Sequence, residues 1–133
     1  MDAAVNKGQK AVGVINQYYW YRLQTELGAG NTHSKVYYFP DHNVGGIENI
    51  SGAAVLASST HKDAAEKLVS FLISAQAEKI IAAGDTYEYP VRPGIAPNSA
   101  LEPLSQVNPA TLSVVSLGND QPAATLLQQA GLT

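Results

Sequence analysis

Tyr18 and Tyr19 are adjacent phenols at the start of a predicted helix, and in this 133-residue chain they are the residues whose type and spacing point most directly to chemistry. A free phenol loses its proton only near pH ~10, so alone it is a poor ligand at neutral pH. A hard, highly charged cation changes that by displacing the proton, as metals do with thiols and water. Partial positive charge at the helix N-terminus favours phenolate, and the free N–H groups there can also hold a small anion. Fe(III) is the abundant ion suited to oxygen-rich, phenolate-containing ligation, whereas zinc and copper sites rely on His and Cys. The chain has no Cys, and its three His are scattered.

The elements that must position this pair are legible in the stretch AVGVINQYYWYRLQTEL. Ala11–Ile15 is a short apolar run of the kind that fills a strand buried on both faces. Asn16 is an N-cap, Gln17–Leu27 a helix, and Gly28 its stop. A strand leading straight into a helix N-terminus is the usual ligand position in an open α/β sheet. At about 100° per residue, Tyr18, Tyr19, Trp20 and Tyr21 fan around most of the helix and cannot share one core. Trp20, Leu23 and Leu27 form the expected buried stripe, with Tyr18 roughly opposite and Tyr19 on its flank. Spacing alone leaves a second use open: the pair packs against a neighbouring lobe or lines a platform on which a sugar stacks.

Composition narrows the classes. Net charge is −3 with 8 Lys+Arg, too few to build a basic patch for nucleic acid or an anionic membrane. Hydrophobic content of 45% suits a globular chain, and the absence of Cys rules out a disulfide framework and thiolate metal sites. No apolar run approaches the ~20 residues of a membrane span, and residues 1–10 lack the apolar core of an export signal. An enzyme is not expected, because no nucleophile–base arrangement, phosphate-cradling loop or paired acids on one helix face is evident.

In chain order, Asp2–Lys10 reads as a helix tail closing at Gly8. The polar turn Gly28–Ser34 carries His33 as a solvent-facing residue. Lys35–Phe39 is expected as a strand buried on both faces, with Tyr37 and Tyr38 pointing oppositely and so unable to chelate one ion. Pro40–Glu48 is a loop in which His42 lies at the surface, and Asn49–Ser58 is a further strand. Thr60–Asp63 resembles a capping box, followed by a helix with Ala64, Ala65, Leu68, Val69, Leu72 and Ile73 on one side. Lys62, Asp63, Glu66 and Lys67 form its solvated face. Ser74 caps a second helix, Ala75–Ala83, ended by Gly84. Asp85–Pro97 is a proline-stiffened extended segment in which Glu88 and Tyr89 are structural. Asn98–Val107 is a short helix, Ala110–Leu117 a short apolar run, and Pro122 starts a last helix that ends at Gly131.

INQYYWYRL, SGAAVLASS, HKDAAEKLVSFLIS and EYPV, in this order and spacing, resemble the iron(III)-binding solute-binding proteins of bacterial ABC importers, from about Val5 to Leu132. The resemblance implies an α/β fold like that of the type II periplasmic binding proteins, with this chain as the C-terminal half of a two-lobed molecule. Residues of about 1–49 and 98–133 would then belong to the iron-tyrosine lobe, and about 50–97 to the other. It places ferric ion on Tyr18 and Tyr19, and a companion anion such as phosphate or carbonate near Asn16. It further implies additional ligands from a missing N-terminal half, delivery to an ABC permease in the membrane, and a periplasmic or cell-envelope location with an export signal upstream in a longer precursor. A binding protein of the same architecture for an oxyanion, a polyamine or a sugar is the alternative. In either case, strand edges left without their neighbours favour a complementary chain or self-association.

Overall fold

Helices form where their start and stop residues stand. A computed structural model describes residues 1–112 and 114–132, with the backbone alone for Val114 and Leu117. Helix α1 covers Asp2–Asn6 and turns out through Gly8 at φ 70°. Helix α2, Gln17–Leu27, begins after Asn16 in extended conformation and ends at Gly28, whose φ of 80° is left-handed. A single 3-10 turn, Ala29–Asn31, follows. Helices α3 (Lys62–Leu72) and α4 (Ala75–Ala83) are joined at Ser74, whose hydroxyl accepts the Ala77 N–H at 3.2 Å as expected of an N-cap.

The capping box ahead of α3 does not form. His61, not Thr60, takes the cap position, and no side chain caps the helix there; the Ser59 hydroxyl instead accepts the His61 N–H. The helix expected over Asn98–Val107 shrinks to α5, Leu104–Val107. Asn98 spends its side chain on a tight turn, accepting the Ala100 N–H at 3.0 Å, and Pro103, which has no N–H, fits ahead of a helix or in its first turn but not in its middle. Ala110–Leu117 includes Ser113, outside the described residues, and its Val114–Leu117 is a 3-10 turn. Helix α6, Gln121–Gln129, has Pro122 in its first turn and leads to Gly131 at φ 67°.

No β-strand is present among the described residues, so the expected strands Ala11–Ile15, Lys35–Phe39 and Asn49–Ser58 run as irregular chain. A strand exists only when a second segment supplies the hydrogen-bonding ladder, and no such backbone ladder forms at these three among the described residues. Val14, intended by its sequence for an interior, is 94% exposed. Lys35–Phe39 is not buried on both faces: Val36 and Tyr38 are half-buried while Lys35, Tyr37 and Phe39 are exposed, the two-residue alternation of extended backbone covered on one side.

The chain divides into two compact units, Met1–Tyr38 with Ala53–Gln106, and Phe39–Gly52 with Val107–Thr133. In the first, α1 packs on α2 and α3 on α4, around Tyr21, Leu23, Ala77, Ala82 and Leu101. Buried Asn6 ties α1 to the turn after α2: its Oδ1 accepts the His33 and Ser34 N–H groups at 2.7 and 3.2 Å, and its Nδ2 donates to the Asn31 carbonyl. Glu78, only 6% exposed, accepts the N–H groups of Val91 and Arg92, fixing the segment after α4. In the second unit, Ala110 N–H donates to the Gly46 carbonyl at 2.7 Å, and His42 joins the carbonyls of Asn108 and Pro109.

Candidate metal-binding site

The buried side of α2 differs from the expected stripe. Tyr21 (7% exposed) and Leu23 carry it, while Trp20 is half-buried and Leu27 is exposed. Tyr21 wins the interior because its polar end has partners there: its hydroxyl pairs with that of Tyr38 at 3.1 Å, and its ring stacks on Tyr87 at 5.3 Å between centres. A buried phenol needs such a partner. Trp20 instead sends its indole N–H to the Ser34 carbonyl at 3.2 Å.

Tyr18 and Tyr19 stay outside that interior. Their ring centres are 4.5 Å apart with planes tilted by 45°, and Tyr19 is 46% exposed. Asn16 stands at the N-cap but its side chain does not cap the helix; its Nδ2 donates to the Tyr18 hydroxyl at 3.0 Å. The structure therefore gathers Asn16, Tyr18 and Tyr19 in the first turn of one helix, beside N–H groups that no side chain caps. Hydrogen bonding to Tyr18, then the charge Tyr18 would carry, lifts the Tyr19 phenol above its ordinary 10.0, with Arg22 pulling the other way. Two neighbouring phenol oxygens of this kind can serve as hard donors to a highly charged cation that displaces their protons to solvent.

Arg22 is absent from the sequence-derived set. Its i+4 spacing from Tyr18 on a helix is the signal that would have placed it there, and its guanidinium carbon lies 5.4 Å from the Tyr18 ring centre.

The other tyrosines form a separate, structural group. Tyr38 is pushed well above its ordinary value, first by burial and then by its bond to Tyr21, and burial likewise raises Tyr89. Tyr89 donates its hydroxyl to the Glu102 carbonyl, and Tyr87 pairs with the Thr25 hydroxyl at 2.6 Å. His33 is exposed, as expected; His42 is exposed too, with its ring nitrogen on the Pro109 carbonyl. Among the described residues no three His, Cys, Asp or Glu side chains gather into a metal-sized group.

Comparison with known proteins bears on what such a pair is for. The chain is 34% identical over 97% of its length to the major ferric iron-binding protein of Neisseria meningitidis serogroup B. Along nearly its whole length this chain is similar to proteins named for ferric iron. It is also 33% identical over 97% of its length to the Fe(3+)-binding periplasmic protein of Serratia marcescens, and 35% identical over 96% to iron uptake protein A2 of Synechocystis. It spans only 38–39% of the length of these relatives. No family model and no solved structure matches. Among the described residues no helix is long and apolar enough to cross a membrane.

Proposed function

We propose that this chain is the ferric-ion-holding part of a solute-binding protein of an ABC iron importer, a carrier rather than a catalyst. Tyr18 and Tyr19 bind Fe(III) as phenolates, their displaced protons passing to water. Asn16 and the uncapped N–H groups of α2 hold a companion anion, phosphate or carbonate, against the metal. The carrier works outside the cytoplasm and hands its ion to a membrane permease. In the whole protein the α/β fold is that of a type II periplasmic binding protein. Residues of about 1–49 and 98–133 then lie in the iron-tyrosine lobe and about 50–97 in the other, and a longer N-terminal half supplies the remaining ligands and closes over the ion.

The observation that carries this proposal is the pairing of two outward phenols, 4.5 Å apart, at a helix start that no side chain caps. It is supported by similarity to relatives named for ferric iron along nearly the whole chain. The exposed apolar residues of the three strand-like segments are consistent with neighbours supplied by the longer protein or, without them, by a second copy.

Ferric nitrilotriacetate added with inorganic phosphate is expected to give a visible phenolate-to-iron charge-transfer band. The Tyr18→Phe, Tyr19→Phe double variant should lose it while keeping its helical circular dichroism. A parent chain with no such band, or a double variant in which the band survives, overturns the assignment.

A further inference from the structure

Tyr18 is held at two points. At its oxygen it accepts the Asn16 amide at 3.0 Å. Over its face lies the guanidinium of Arg22, with the central carbon 5.4 Å from the ring centre. That guanidinium is itself anchored on its other side, because Nε donates to the backbone carbonyl of Asp85 at 3.1 Å.

The segment bearing that carbonyl is fixed to the same helix by further contacts. Gln17 Nε2 donates to the Tyr87 carbonyl at 3.1 Å, Thr25 pairs with the Tyr87 hydroxyl at 2.6 Å, and Tyr21 stacks on the Tyr87 ring. Gln17, Tyr21 and Thr25 are spaced i, i+4, i+8, one stripe of α2 gripping one short segment. Tyr87 holds a left-handed φ of 52°, which a bulky residue keeps only when its surroundings enforce it. Arg22 therefore reaches from a fixed backbone oxygen to the face of a candidate donor ring.

We propose that Arg22 is a positioning residue for the ferric site, setting the plane of the Tyr18 ring and supplying a fixed positive charge beside the phenolates. The proposal rests on Tyr18 and Tyr19 being the iron donors. Two phenolates and a divalent anion more than cancel a trivalent cation, so the loaded site carries surplus negative charge that a neighbouring cation offsets. Arginine suits both tasks: its flat guanidinium stacks on a ring while Nε hydrogen-bonds in the same plane, and it stays charged at every relevant pH. Lysine supplies the charge without the plane.

The test uses the 133-residue chain with ferric nitrilotriacetate and inorganic phosphate as probe. It reads the wavelength of the charge-transfer band and the affinity from its titration, and compares the parent with Arg22→Gln and Arg22→Lys. Arg22→Gln should bind iron about ten-fold more weakly, the order seen when an outer partner of a metal ligand is lost, and its band should shift. Arg22→Lys should recover part of the affinity but not the band position. Arg22 is exposed, so far-UV circular dichroism should be the same in all three. If Arg22→Gln matches the parent in band and affinity, the role of Arg22 is overturned while the iron assignment stands. Arg22→Lys matching the parent in band position overturns the orienting role. A parent chain with no band overturns the iron assignment, and the role of Arg22 with it.

Discussion

Six of the seven tyrosines of this chain are sorted into different work by what their hydroxyls meet. Tyr18 and Tyr19 meet each other and an amide near the surface, which leaves them accessible for the metal role proposed above. Buried Tyr21 and half-buried Tyr38, Tyr87 and Tyr89 meet hydroxyls and a carbonyl of distant segments, which suits cross-links. This difference has a pH consequence that can be measured away from the metal. Burial raises the Tyr38 phenol in the folded chain above its ordinary 10.0, so above that value the unfolded state loses a proton that the folded state retains. The unfolded state then binds fewer protons, and stability falls as pH rises. The contribution is fully present below about pH 10 and declines above it. Urea midpoints are therefore expected to hold level on this account up to about pH 9 and to fall beyond pH 10, with a shallower alkaline fall in Tyr38→Phe. An unchanged alkaline slope in that variant would show that another group governs it.

At the level of elements, α2 and α4 lie where their end residues predicted, because a cap and a stop are local chemistry. Asn16 and Gly28 bound α2, and Ser74 and Gly84 bound α4. Gly28 offers a direct measurement: a Cβ there would touch nothing within 4 Å, yet its φ is 80°, so its cost is purely that of backbone conformation. Gly28→Ala should lose about 1 kcal/mol of stability by urea denaturation. Gly30, with equally open surroundings and no left-handed φ, should tolerate Ala with little change or a small gain. Equal losses at both positions would point to some other cause. Failure came where an element depends on something not in its own stretch. Trp20 was assigned to the core by spacing, but the interior went to Tyr21, for which Tyr38 and Tyr87 supply partners from distant segments. Thr60 had the right chemistry for a cap and stood one residue early.

For the whole molecule, apolar surface is the main feature. Beyond the strand-like segments, α3 leaves its expected inner side open, with Leu68 58% exposed and no residue of that helix buried. Surfaces of this kind associate when concentrated, so sedimentation velocity is expected to show a weight-average mass that rises with concentration; a stable monomer throughout would contradict this. The sequence by itself determined the bounds of α2 and α4 and the pairing of two phenols at a helix start, since each rests on residues within a few turns of each other. Only the tertiary structure decided which aromatics are interior and that Arg22 joins Tyr18 to the segment at Asp85. Those outcomes depend on hydrogen-bond partners up to 63 positions away, a separation that periodicity along a single helix does not encode.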